Sequence, residues 1–132
     1  MKYLLDSNVW ISVLRKHTGV RRRLANVLPQ DVFLSTPVVA ELAAGAWKSD
    51  RPRENLSLLN DLLYQYDCLY FGVPEALRYA ELFEEMRSGG TPVGTLDLQI
   101  AATASVHGLT VVTHNVGNFE RIPKVDLEDW QV

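Results

Sequence analysis

Apolar and polar positions follow one another along this chain in short blocks, and their period switches between strand-like and helix-like. Tyr3-Leu4-Leu5 is a brief apolar run that stops at Asp6, so Lys2–Asp6 predicts a short buried strand. Asn8–Lys16 and Gly19–Leu28 predict two short helices, broken near Thr18-Gly19. Val32–Ser35 predicts a second strand. Thr36-Pro37 then offers a capping hydroxyl and a proline at the first helical position, which starts a helix running to about Lys48. After the break at Ser49-Asp50-Arg51-Pro52, Arg53–Tyr66 carries Leu56, Leu59, Leu62 and Leu63 at helical spacing. Cys68–Phe71 predicts a third strand. Pro74–Arg87 predicts a helix with Leu77, Ala80, Phe83 and Met86 toward one face, and Ser88-Gly89-Gly90-Thr91-Pro92 a loop. Thr95–His107 is an Ala-rich helix stopped by Gly108, a residue suited to a left-handed cap. Thr110–Thr113 predicts a fourth strand and Val125–Leu127 a short edge strand.

Strands that alternate with helices, without a hairpin signal, describe an α/β fold whose parallel sheet is covered on both faces. In such folds ligands bind beyond the carboxyl ends of the strands, near a switch in strand order. Asp6 stands at that place for the first strand.

Composition narrows the picture. A chain of 132 residues, 47% hydrophobic, suits one domain with one core and needs no staple. The single cysteine, Cys68, allows no internal disulfide and no thiolate cage. No segment approaches a membrane span, and the apolar run before Asp6 is too short for a signal peptide, so a cytoplasmic protein is expected. The net charge of −3 supplies no global field for nucleic acid, so any such binding must be local.

Four positions carry candidate chemistry. Asp6 either caps the following helix or holds a charge at the sheet edge. Glu41 lies among apolar and small residues in Pro37-Val38-Val39-Ala40-Glu41-Leu42-Ala43-Ala44. It either faces water or needs a cation. Asp97 falls in the first turn of its helix if Thr95 caps it, where the helix dipole alone favours a carboxylate. Asn115, directly after the fourth strand, is either a turn residue or a neutral oxygen donor. Taken together, these residues gather at one sheet edge. Hard oxygen donors without His or Cys suit Mg²⁺ or Mn²⁺ rather than zinc. Carboxylates so gathered repel strongly without a cation.

The chain resembles the PIN-domain family, and within it the VapC-type ribonuclease toxins. The resemblance rests on Leu5-Asp6-Ser7-Asn8, Val39-Ala40-Glu41-Leu42 and Gly90-Thr91-Pro92-Val93-Gly94. It continues through Asp97-Leu98-Gln99-Ile100-Ala101-Ala102, Val112-Thr113-His114-Asn115, Asn118-Phe119-Glu120-Arg121-Ile122-Pro123 and Asp129-Trp130. It implies one PIN-like domain over residues 1–132, a three-layer α/β/α arrangement around a parallel sheet of four to five strands. It implies a Mg²⁺- or Mn²⁺-dependent endoribonuclease toxin, inhibited by a cognate VapB-type antitoxin. It also implies a homodimer that meets DNA only through the antitoxin complex. The family's acidic positions fall on Asp6, Glu41 and Asp97. Many members have a further Asp where this chain has Asn115, a departure that removes one negative charge.

On that reading Asp6 and Asp97 are the main metal ligands, and Glu41 completes the site or orients a metal-bound water. Asn115 is a neutral ligand or a substrate contact. Ser7 and Thr113 are near enough in sequence to bond a ligand carboxylate or a phosphate, although a bond to the local backbone is the default for such residues. Candidate RNA contacts are Arg21, Arg22, Arg23, Lys48 and Arg51, with Arg53 and Arg87 beside them; a solvated helix face explains each of them equally simply. Trp10 and Trp47 are candidate antitoxin anchors or core residues, and Trp130 is expected to pin the C-terminal segment. Two rival readings are a catalytically weak PIN domain kept as a binding module and a phosphatase with Asp6 as nucleophile. The second lacks an acidic residue two positions on, where Asn8 stands, and a lysine near Thr113-His114.

Overall fold

The computed structural model describes residues 1–90 and 93–131. Thr91 and Pro92, part of the expected loop and of one resemblance motif, lie outside the described residues, as does Val132. The chain runs β1 (Tyr3–Leu5), α1 (Ser7–Leu14), α2 (Thr18–Ala25), a 3₁₀ turn (Pro29–Asp31), β2 (Val32–Ser35) and α3 (Thr36–Lys48). It continues α4 (Pro52–Gln65), β3 (Asp67–Leu69), α5 (Val73–Ser88), α6 (Thr95–His107), β4 (Thr110–Val112), α7 (Val116–Phe119) and β5 (Leu127–Glu128). The strands form one five-stranded sheet in the order β3-β2-β1-β4-β5. Every pairing is parallel.

That order places the topological switch between β1 and β4. The chain first builds outward from β1 through β2 to β3, then returns to the other side of β1. The helices leaving neighbouring strands diverge there and open a crevice at the carboxyl edge. Register holds the two strands level, with Leu5 opposite Val112. Asp6 and Thr113, each one residue further on, therefore emerge side by side.

Burial explains why strands so short persist. Leu4 and Leu5 point to opposite faces, and both are fully buried, as are Val111 and Val112. Each buried leucine contributes about 1.5–3 kcal/mol through removal from water. α6 is buried round much of its surface at Leu98, Ile100, Ala101, Ala102 and Ala104. Its small residues let α5 pack closely against it. Gly108 ends the helix at φ 66°, the left-handed conformation expected of it.

Several expectations change in detail. Thr36 does not cap α3; Ser35 holds the cap position, and the Thr36 hydroxyl accepts the Phe71 N–H at 3.0 Å. In α5 the buried residues are Glu75, Leu82 and Met86, while Leu77 and Phe83 face outward. The inward turn is fixed by Glu75, which accepts from the Gly72 N–H at 2.9 Å and meets His107 of α6 at 2.8 Å. Trp10 is fully buried against Tyr66 and so belongs to the core, whereas Trp47 is exposed. Trp130 is buried edge-on to Tyr3, with Arg23 over its ring, and anchors the C-terminal segment. Among the described residues no helix is long and apolar enough to cross a membrane.

Candidate active site

Asp6 is buried where β1 ends, and its two oxygens have different partners. Oδ1 accepts the Val9 N–H at 3.1 Å and caps α1. Oδ2 accepts the Thr113 hydroxyl at 2.6 Å. Each oxygen keeps a further lone pair, so capping does not exhaust the group. Burial pushes the Asp6 carboxyl above the usual carboxylate range, and the nearby Asp97 adds to the rise. The bonds from Thr113 and Val9 offset only part of it.

Glu41 projects from α3, a turn and a half beyond the end of β2. It is solvent-exposed by surface area. Its carboxylate nonetheless accepts the Ser7 hydroxyl from the first residue of α1. Partial desolvation raises its pKa, and the charges of Asp6 and Asp97 raise it further. The two environments proposed for Glu41, water and a charged site, are thus both present.

Asp97 is half-buried in the first turn of α6, whose cap position is held by Gly94 rather than Thr95. Desolvation raises its pKa, and a bond from the Asn118 side chain opposes the rise. Asn118 lies in α7, a four-residue helix that sequence periodicity did not predict. It is the site residue that residue-by-residue reasoning missed; the only signal was its place in the Asn118-Phe119 motif.

The three carboxylates thus come from three distant segments to the carboxyl edge of the sheet, where Asp97 raises the Asp6 carboxyl and both raise that of Glu41. No Lys, Arg or His pairs with any of them among the described residues. Nor are three His, Cys, Asp or Glu side chains drawn together into a closed metal cage there. The donor set fits a hard divalent cation: carboxylate oxygens, raised carboxyl pKa values and no compensating positive charge. It does not fit zinc or a soft metal, for which thiolate or imidazole would be expected.

Ser7 and Thr113 both bond carboxylates instead of resting on the backbone alone. Thr113 does both, since its Oγ1 also accepts the Asn115 N–H at 2.9 Å. Asn115 is exposed at the cap of α7, and its side chain makes no capping bond. The expected basic residues are largely occupied elsewhere. Arg21 donates to the Val13 carbonyl, Arg23 pairs with Glu128 at 2.9 Å, and Arg51 pairs with Glu54. Arg22 and Lys48 are exposed. None of the five lines the groove beside Glu41 or the one beside Asn115, whereas Arg15 lines both.

The PIN domain family model matches residues 3–125. The chain is 33% identical over 130 residues to a protein named tRNA(fMet)-specific endonuclease VapC from Salmonella typhimurium, covering 98% of each. It is 33% identical over 132 residues to ribonuclease VapC2 from Rickettsia felis, again over 98% of each chain. Its fold matches the crystal structure of DNA-bound VapBC from Salmonella typhimurium with a TM-score of 0.91 and 34% identity, covering 98% of both chains. The chain belongs to the PIN-domain family, within its VapC-type branch.

Proposed function

We propose that this protein is the toxin of a toxin–antitoxin pair, a divalent-metal-dependent endoribonuclease held inactive by a VapB-type antitoxin. One observation carries the metal-dependent chemistry: three mutually repelling carboxylates at the sheet's switch point, with no cationic partner among the described residues. The relatives named as ribonucleases support the reaction class, and the DNA-bound VapBC complex supports an antitoxin partner through which DNA is met.

Asp6, Asp97 and Glu41 would hold Mg²⁺ or Mn²⁺. When bound, such an ion lowers the pKa of a water and offsets charge on the phosphoryl oxygens. The chain's own residues prepare that chemistry. Thr113 fixes the Asp6 rotamer and keeps one oxygen turned toward β4. Ser7 holds Glu41 across the mouth between α1 and α3, where it is placed to orient an attacking water. Asn118 steadies Asp97 from outside. Asn115 presents a neutral amide at the rim, adding no charge against an incoming phosphate.

Two surfaces support the partners. A groove lined by Ile11, Leu14, Leu42, Leu58 and Leu59 opens beside Glu41, and its apolar walls suit an antitoxin segment that covers the site. The outward Val73, Leu77 and Phe83 of α5 leave an apolar face suited to a homodimer contact.

The test is RNA cleavage with Mn²⁺ by the native protein, Asp6→Ala and Asp97→Ala. Cleavage that both substitutions abolish supports the proposal. Native protein inert on total RNA, or variants as active as native, overturns it.

A further inference from the structure

Two grooves of different chemistry share Arg15, one of them lined by Glu41 and the other by Asn8 and Asn115, close in sequence to Asp6 and Thr113. One is the apolar groove beside Glu41. The other, of about 400 Å³, is lined mostly by polar side chains: Asn8, Ser12 and Arg15 on α1, His114 and Asn115 after β4, and Gln131 near the C-terminus. We propose that this polar groove is a nucleotide subsite, in which Arg15 takes a phosphate of the RNA strand next to the one being cut. The inference rests on the nuclease reading and adds a path and a contact to it.

Helical spacing builds the subsite. Asn8 and Ser12 share one face of α1, Arg15 follows at its C-cap, and Asp6 is its N-cap. The stripe therefore leads away from Asp6, and the Arg15 backbone stands about 13 Å along the helix axis from it. From there the side chain is placed for a phosphate next to the scissile one. Arg15 is exposed and has no carboxylate partner among the described residues, unlike Arg23, Arg51 and Arg87. Its planar donor fork matches a phosphate.

The rest of the lining suits a nucleotide better than a protein segment. Asn8 and Asn115 are exposed amides that can donate and accept, as base edges and riboses require. His114 is held by Asp129 through Nδ1 at 3.0 Å, which turns its other ring nitrogen outward. Gln131 donates to the Ser12 hydroxyl at 2.7 Å and closes one side. A protein partner needs apolar burial, and that lies in the other groove.

Binding is measured apart from cleavage. In an Asp6→Asn/Asp97→Asn background, a fluorescent single-stranded RNA is titrated by anisotropy between about 50 and 200 mM salt. Adding Arg15→Gln is expected to weaken binding several-fold and to lower the salt slope by about 0.7, the value for one phosphate contact on a single strand. Arg15→Lys keeps the slope. Lys2→Gln, at the opposite edge of the sheet, changes neither. In the active protein Arg15→Gln raises KM several-fold and leaves kcat within about twofold, as loss of uniform binding does. An unchanged affinity and slope overturn the subsite while leaving the nuclease reading intact. So does a loss of antitoxin affinity with RNA binding unaltered, which would assign the groove to protein. Failure of the native protein to cleave RNA is a separate result and strikes the nuclease reading.

Discussion

Thr113 donates its hydroxyl proton to Asp6 Oδ2 at 2.6 Å, joining residues 107 positions apart in sequence. Thr113 Oγ1 also accepts the Asn115 N–H at 2.9 Å, so the hydroxyl proton is committed to the carboxylate. The bond crosses the switch point between β1 and β4 and fixes the orientation of the Asp6 carboxylate. Thr113→Val keeps the shape and removes the bond. It is expected to destabilise the fold by about 1–3 kcal/mol, because a buried carboxylate loses a donor. It should also raise the Mn²⁺ concentration for half-maximal cleavage by about 10–100-fold. Thr113→Ser should restore most of both. A metal titration of cleavage rate checks this, and an unchanged Mn²⁺ requirement would remove Thr113 from the site.

Asp6 illustrates a site maintained at the expense of stability. Burial raises its folded-state pKa, so the fold favours the protonated form. The sign follows. Stability declines as pH rises through the ordinary carboxylate value near 4 and on through the raised folded value. Asp6→Asn keeps a side chain that caps helices well and removes the charge. It is expected to gain about 0.5–2 kcal/mol at pH 7 while losing cleavage. Thermal unfolding with and without Mg²⁺ reads this: the native protein gains stability from the ion and Asp6→Asn does not. A lower melting temperature for Asp6→Asn without metal would contradict the account.

Asn118 acts on Asp97 from the outside. Asn118→Ala removes the bond that opposes the rise in the Asp97 pKa. The expected result is about a tenfold higher Mn²⁺ requirement, with activity recovered at excess metal. Cleavage that stays impaired at saturating Mn²⁺ would instead place Asn118 on the substrate.

Much of this arrangement was legible in the residue pattern. Thr95–His107 appears as α6 with the bounds its composition and Gly108 imply. The helix after Thr36-Pro37 likewise ends at Lys48. Strong periodicity and explicit stop residues make such elements local properties. The gathering of the candidates at one sheet edge followed from the parallel α/β order, but no spacing in sequence states that the Thr113 hydroxyl bonds Asp6. The α5 face was misjudged at Leu77 and Phe83 because apolar spacing fits two faces of that helix. The buried face is chosen by Glu75 and its distant partner His107, a tertiary pairing no local pattern carries. Asn118 was hidden for a related reason: Asn115-Val116-Gly117-Asn118 has the composition of a turn, and its helix is a single turn long.

The Glu75–His107 contact has the opposite pH sign to Asp6. Burial raises the Glu75 carboxyl, but bonds from its own N–H, from His107 and from the Gly72 N–H outweigh that and hold it below the usual range. Its contribution is fully present above the ordinary glutamate value and is lost as pH falls through the lowered folded value. Glu75→Ala is expected to cost about 1.5–3 kcal/mol at pH 7, the scale of hydrogen bonds to a charged group. The deficit should shrink as pH falls through the lowered folded value, where the native carboxyl takes up its proton. Urea unfolding of both proteins at pH 7 and at pH 3 measures it. A deficit of equal size at both pH values would show that packing, not charge, is what Glu75 supplies.

The most direct measurement is an anomalous difference map from crystals soaked in Mn²⁺. A single strong peak within coordinating reach of Asp6 and Asp97, with Glu41 bonded to it directly or through water, is the predicted result, and it should vanish in Asp6→Asn crystals. A crystal whose protein cleaves RNA with Mn²⁺ in solution, yet shows its manganese elsewhere and none among these three side chains, would contradict the account.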